Sequence, residues 1–369
     1  MAGTATISKS GLFADPREDW LALHSEDVID PARPIVDPHH HLWDRGGERY
    51  LIEEMAADIA TGHNVVATVY VDCRSMYRAQ GPEPFRPVGE VEFANGVAAM
   101  SASGGYGPAA ICAGIVGHVD LRLGEAARTV LEAEIAASPQ RFRGIRHSSA
   151  WDADPNVAGM YATRPQGLLR DSSFRKGFAC LAPLGLSFDA WLFHPQIPEL
   201  TDLARAFPDT RIVLNHCGGP VGIGRYADRR DEVFATWKAS IGEIARCPNV
   251  VVKLGGLAMR PGLRFSRTAQ TAHVGTGGRG VAALYRDLHR SLRPGSLHVR
   301  EQFSTRQGPV QLSGDLQRLQ THRRAIQRDG KNRAVFGDSG QSLQAGADLR
   351  PIRRETATAE GSAREVRRT

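Results

Sequence analysis

Apolar and polar positions follow a repeating order along this chain: a short continuous apolar run, a polar break, then a longer stretch with apolar residues at helical spacing. Ile35-Val36 runs into Asp37-Pro38-His39-His40-His41, and the apolar run from Val65 to Val71 ends at Asp72. Ala110 to Val119, Phe142 to His147, Ser187 to His194, Arg211 to His216 and Val250 to Leu254 are the later runs. Short apolar runs rich in β-branched and aromatic residues predict strands buried on both faces. Between them, residues 52–59, 90–100, 125–137, 174–181, 197–207 and 231–246 read as helices, and a short helix over 18–23 precedes the first strand. Seven strand-then-helix repeats predict a parallel sheet. Polar residues close the strands: His39 and His41, Asp72, His118, Arg146 and His147, His194, and His216. Chemistry drawn from the C-terminal ends of many strands is the pattern of a closed barrel. The expected fold class is therefore α/β, a (β/α)8 TIM-type barrel.

Strand side chains alternate faces, so His39 and His41 point the same way. Neutral imidazole is the commonest metal ligand near neutral pH, and two from one strand make half a site. A solvated histidine-rich loop is the plain alternative. Arg146 offers a planar fork suited to a substrate carboxylate, or else a salt bridge at the barrel rim. Asp72 is a candidate ligand or base, with a structural hydrogen-bond acceptor as the alternative. Lys253 points either into the barrel toward substrate or onto the rim. His118 and His147 carry no assigned role. The glycine-rich Gly218 to Gly224 lacks the Lys-Ser/Thr of a phosphate loop, and Ser173-x-x-Lys176 has no supporting partners.

The length of 369 residues allows one large domain or two ordinary ones, and 41% hydrophobic with 23% charged residues suits a globular core. No apolar run is long enough for a transmembrane helix, and no secretory signal is visible, so the cytoplasm is the expected compartment. Five widely spaced cysteines without a C-x-x-C pair are expected to be free thiols. The net charge of +6 hides a division: residues 264–369 hold 19 Arg, one Lys and nine acidic groups, a net of +11, against −5 for residues 1–263. The chain thus divides into a lead over 1–34, a barrel over 35–263 and a basic, weakly periodic tail over 264–369.

Asp37-x-His39-x-His41, His194 after the fifth strand and His216 after the sixth resemble the amidohydrolase superfamily, in its amidohydrolase-2, lactonase-like branch. Phe142-Arg143-Gly144-Ile145-Arg146, Phe193-His194-Pro195-Gln196, Leu214 to Pro220 and Val252 to Leu257 extend the match, which runs from about Trp20 to Leu257. The resemblance implies hydrolysis of a lactone or related C–O or C–N bond of a small carboxylated molecule. His39, His41 and His194 would hold a divalent metal, zinc or manganese, or contact substrate where the mechanism is metal-free. His216, with Asp72, would be catalytic, orienting water or substrate. A metal in such a place polarises a carbonyl and lowers the pKa of bound water to roughly 7. Arg146 and Lys253 would contact the substrate.

The family's barrel also needs an eighth strand ending in a carboxylate, and no such stretch follows Leu263. The barrel is thus expected to be incomplete, its eighth strand and last helices not recognisable. Asp338, in Val335 to Gly340, is the nearest imitation. A reading-frame shift near Leu263 to Phe265 accounts for this: codons read one base later through Leu297 to Ser304 and Gln317 to His322 permit strings like the family's closing segment. The alternative is a genuine basic tail that binds nucleic acid, although it lacks interleaved aromatics. A missing closing strand predicts low solubility and little turnover. The rival activities are a non-oxidative decarboxylase on the same barrel and a non-catalytic nucleic-acid-binding protein.

Overall fold

The computed structural model describes residues 28, 30–45, 48–161, 163–256, 259 and 297–299. Eight parallel strands form one curled sheet in chain order: β1 (Ile35–His40), β4 (Val65–Val71), β5 (Ala110–Gly117), β6 (Phe142–Ser148), β7 (Ser187–Trp191), β8 (Ile212–Leu214), β9 (Val250–Leu254) and β10 (Leu297–Val299). A small antiparallel hairpin, β2 (Trp43–Arg45) with β3 (Glu48–Tyr50), follows β1. The helices are α1 (Ile52–Ile59), α2 (Val88–Ala102), α3 (Ala127–Ala137), α4 (Pro155–Ala158), α5 (Ser172–Phe178), α6 (Ile197–Ala206) and α7 (Arg230–Ile244). The sequence pattern placed the seven main strands and six of these helices within a few residues. It missed the hairpin and α4, which are too short to show a period.

Local chemistry sets these boundaries. α1 begins where Glu54 Oε2 accepts the Leu51 N–H at 2.8 Å, with Glu53 and Glu54 in the positive first turn. α5 begins where the Asp171 carboxylate accepts the Phe174 N–H at 2.8 Å. Phe174 and Phe178 on α5 pack against Phe188 of β7, with ring centroids 6.1 and 5.1 Å away. All three rings are fully buried, so this side of the sheet rests on aromatic burial worth a few kcal/mol per side chain. Gly144 of β6 stands opposite Ser187 of β7, and a Cβ on it would fall on the Ser187 carbonyl and hydroxyl. Gly144→Ala is accordingly expected to cost about 1–3 kcal/mol, read as a lower urea midpoint with an unchanged slope.

The sheet's last position departs from the sequence reading. No strand was expected after Leu263, yet Leu297–Val299 pairs in parallel with β9, His298 opposite Lys253. Its sequence, Leu-His-Val, is too short to announce a strand by alternation. No ladder joins β10 to β1 among the described residues, so the ring stays open, a barrel short of closure. The 18–23 helix, Asp338 and the remainder of the basic tail lie outside the described residues.

Candidate functional site

The first strand delivers its histidines as alternation requires. His39 and His41 face the lumen together, with Nε2 atoms 3.2 Å apart and ring centroids at 4.7 Å. His40 points the other way, into the wall, where its Nε2 lies 2.9 Å from Thr68 Oγ1 and its ring meets Tyr70. Ring nitrogen Nδ1 of His41 is 2.7 Å from the Val71 carbonyl. A carbonyl only accepts, so His41 carries its proton on Nδ1 and turns a lone pair on Nε2 toward His39.

Two cations, the half-buried Arg146 and the buried Lys253, close around this pair. Arg146, on β6, donates from Nε to Asp72 Oδ1 at 2.7 Å and from Nη2 to the Asp72 carbonyl. Its remaining nitrogen, Nη1, stands 3.3 Å from His39 Nε2. Lys253, on β9, donates to Asp189 Oδ2 on β7 at 2.5 Å and lies 3.5 Å from His39 Nδ1. Asn215 Nδ2 donates to the same Asp189 oxygen at 2.9 Å. A neutral imidazole accepts at one nitrogen only, so Lys253 and Arg146 compete for the lone pair of His39. Burial lowers the Lys253 ammonium below its ordinary pKa, and Asp189 offsets part of that. Of the expected substrate residues, Arg146 has thus spent its fork on Asp72, the rim salt bridge weighed from sequence, and Asp72 serves as that acceptor. Lys253 reaches inward.

His216 sits in a strained turn. Four consecutive residues, His216, Cys217, Gly218 and Gly219, have φ between +51° and +73°, a region costly for the two that are not glycine. Trp237 Nε1 donates to the Cys217 carbonyl at 2.7 Å and pins the turn. Its result is to bring the His216 ring to 4.9 Å from both His39 and Trp191. A Cβ on Gly256 would fall on the His216 ring, so only glycine fits there. Burial first, then Arg146, hold His41 and His216 far below the usual imidazole pKa, with Lys253 adding to the effect on His216. Both rings are neutral at pH 7.

His194 is placed differently. It opens the turn after β7, its N–H donates to the Gly219 carbonyl at 2.9 Å, and its ring lies against Tyr226 at 5.2 Å. The Val221 N–H reaches its Nδ1 at 3.4 Å. Burial lowers its pKa to about 4. Among the described residues, no three His, Cys, Asp or Glu side chains stand together as a metal-holding group. The 3.2 Å gap between His39 and His41 suits two ligands about 2.0–2.1 Å from one tetrahedral ion. The third position beside them, however, is taken by the Arg146 guanidinium, and Asp72 and Asp189 already hold cations. The described set therefore supplies half of the expected zinc or manganese shell and does not fit a whole one. Sequence reasoning missed Asp189 and Asn215. The one signal for Asp189 is a lone carboxylate inside the apolar run Phe188-Asp189-Ala190-Trp191, matched by a lone lysine inside Val250 to Leu254.

Known proteins resemble this chain in sequence and in fold. The chain is 33% identical over 247 residues to the uncharacterized protein y4mH of Sinorhizobium fredii, covering 61% of this chain and 73% of that one. It is 28% identical over 248 residues to an L-fucono-1,5-lactonase of Burkholderia multivorans, covering 63% and 72% respectively. In fold it is similar to an amidohydrolase from Burkholderia multivorans crystallised with bound zinc, at a TM-score of 0.58 and 20% identity, over 84% of this chain and 98% of that one. The amidohydrolase family model matches residues 36–337, running past the Leu257 limit read from the motifs. The chain belongs to the amidohydrolase family, in its amidohydrolase-2 branch.

Proposed function

We propose that this hydrolase opens a lactone, or a related C–O bond of a small organic acid, with water attacking beside His39, His41 and His216. The observation that supports this reading is a group of buried imidazoles, His41 and His216 neutral among them, set against the buried Lys253 ammonium and the half-buried Arg146 guanidinium. Attack of water on a lactone carbonyl forms one C–O bond, places negative charge on the carbonyl oxygen and releases a proton. A neutral imidazole takes that proton, and we assign this to His216, whose Nδ1 lies against Gly256 and whose Nε2 is left for water. Arg146 and Lys253 place positive charge where the oxyanion develops, the kind of fixed electrostatic support that contributes most to such reactions. Collapse breaks the ring C–O bond, and the alkoxide regains the proton, giving the hydroxy acid. Asp72 orients Arg146, and Asp189 with Asn215 orients Lys253. The lactonase among the relatives supports the choice of a lactone over an amide.

The test is hydrolysis of L-fucono-1,5-lactone and other five- and six-membered sugar and hydroxy-acid lactones, followed by acid release in weak buffer after dialysis against chelator, with and without added zinc. Turnover is expected, and His39→Asn is expected to lower kcat/KM at least tenfold. Release of carbon dioxide in place of acid, from carboxylated aromatic substrates, would move the assignment to a decarboxylase. The open sheet carries the expectation of weak turnover, and the same assay decides that point.

A further inference from the structure

In the ladder between β1 and β4, Asp37 stands opposite Thr68 and His40 stands opposite Tyr70. Between those points β4 takes two steps and β1 takes three, so β1 carries one extra residue. Paired residues on neighbouring strands point to the same face of the sheet. In an unbroken ladder the residue opposite Tyr70 would be His39. His39 and His41 would then turn into the wall beside Tyr70, and His40 would enter the lumen, because a slip of one residue exchanges the faces of a strand. Three histidines in a row do not choose between these registers by composition. Only the slipped one brings two imidazoles to the lumen, so the choice is made by what β1 meets in the wall.

Thr68 stands between two irregularities and is fully buried. On one side its Oγ1 lies 2.9 Å from His40 Nε2. On the other it accepts the Cys112 N–H at 3.0 Å. There β5 bulges, taking four steps from Ala110 to Gly114 while β4 takes two from Ala67 to Val69. Cys112 lies in that bulge with φ +57°, a conformation that a non-glycine residue keeps only when its surroundings impose it. Its Sγ comes to 3.7 Å from His40 Nε2. A hydroxyl has one proton and two lone pairs, so Thr68 can meet the N–H of one bulge and the imidazole of the other together. Valine has the same shape and can meet neither. The slipped register also has a direct mark: His41 Nδ1 lies 2.7 Å from the carbonyl of Val71, the residue after Tyr70 on β4.

We infer that Thr68 is a positioning residue of the site: its hydroxyl, seated by Cys112 and bonded to His40, holds the slipped register that turns His39 and His41 into the lumen. The register stands on the ladder alone, and its effect on turnover rests on the hydrolase reading.

The probe is the His41 Nδ1–H proton, followed by long-range proton–nitrogen NMR of the full-length protein carrying isotope-labelled histidine and identified by its absence in His41→Asn. The parent is expected to show it, Thr68→Val to lose it and Thr68→Ser to keep it. Gly144→Ala, which strains β6 against β7 and leaves β1 untouched, should keep it too. In the lactone assay Thr68→Val should lower kcat at least about tenfold with KM within about threefold of the parent, and Thr68→Ser should restore kcat to within about threefold. Thr68→Val leaves buried polar groups unpaired, so the double variant Thr68→Val with His40→Leu gives a second reading. It removes both ends of the bond, should melt no lower than Thr68→Val and should still lack the His41 proton. A His41 proton that survives in Thr68→Val and in the double variant, disappears in Thr68→Ser, or disappears in Gly144→Ala would overturn the inference. The proton is read without substrate, so failure to open any lactone would sink the hydrolase reading and leave this measurement standing.

Discussion

Lys253→Met is expected to destabilise the folded chain by about 3–5 kcal/mol, whereas the double variant Asp189→Leu with Lys253→Met should recover most of that loss. Lys253 and Asp189 are 4% and 2% exposed and 2.5 Å apart. Removing the ammonium leaves a buried carboxylate whose remaining hydrogen-bond partner, among the described residues, is the Asn215 amide, and a buried charge that has lost its ion-pair partner is among the costliest single defects. Removing both charges takes away the attraction and both desolvation penalties together, so the net change is small. Urea titrations of the parent, the two single variants and the double variant close the cycle. Activity should follow a different rule. The double variant loses the cation near His39 Nδ1, so it should fold like the parent and hydrolyse no better than Lys253→Met. A single variant as stable as the parent would mean that Lys253 is not the buried partner of Asp189.

A second large effect is acid lability. Burial lowers the His40 pKa to about 3, and lowers His118, with His147 and His216 held well below the usual value. In the unfolded chain these rings titrate near 6.5. Between that value and their folded values the unfolded state binds more protons, so stability is full above pH 6.5 and falls as the pH drops. At pH 5 each such ring withdraws up to about 2 kcal/mol. Two carboxyls act in the opposite direction. Burial raises Glu90 to about 7 and Glu134 well above its usual value. Their folded forms bind more protons, so they regain stability as the pH falls from 7 toward 4.5. With His41 and His194 lowered as well, six imidazoles outweigh two carboxyls, and a net loss of several kcal/mol is expected between pH 8 and pH 5. Urea midpoints across that range, taken in chelator, give the check; a midpoint that rises toward pH 5 would show that the rings are charged in the fold.

The sequence disclosed what repetition makes visible. His39 and His41 share a face because a strand has a period of two, and nothing in their surroundings is needed to see it. Strands such as Val250–Leu254 and helices such as α1 and α6 are marked by uninterrupted or periodic apolar positions. What stayed hidden depends on partners far along the chain. Arg146 reads equally as a substrate group or a salt bridge until Asp72, 74 residues away, is placed on its fork. Glu90 looks like an exposed position of a helix, yet it is buried beneath the loop that follows β4. His194 sits past the end of its strand, where period-two alternation no longer says which way a ring points. Leu297–Val299 shows no period because three residues hold none.

The strand that carries the reactive pair stands at a free border of the sheet. β1 has β4 for a backbone neighbour and, among the described residues, none on its other side. Its ladder even slips between Asp37 and His40. A border strand with one ladder is the first to fray. What reaches from it toward β9 is the contact of His39 with Lys253. The groups proposed to do the chemistry therefore also act as a clasp across the unclosed gap, and loosening either one should set the whole border strand breathing.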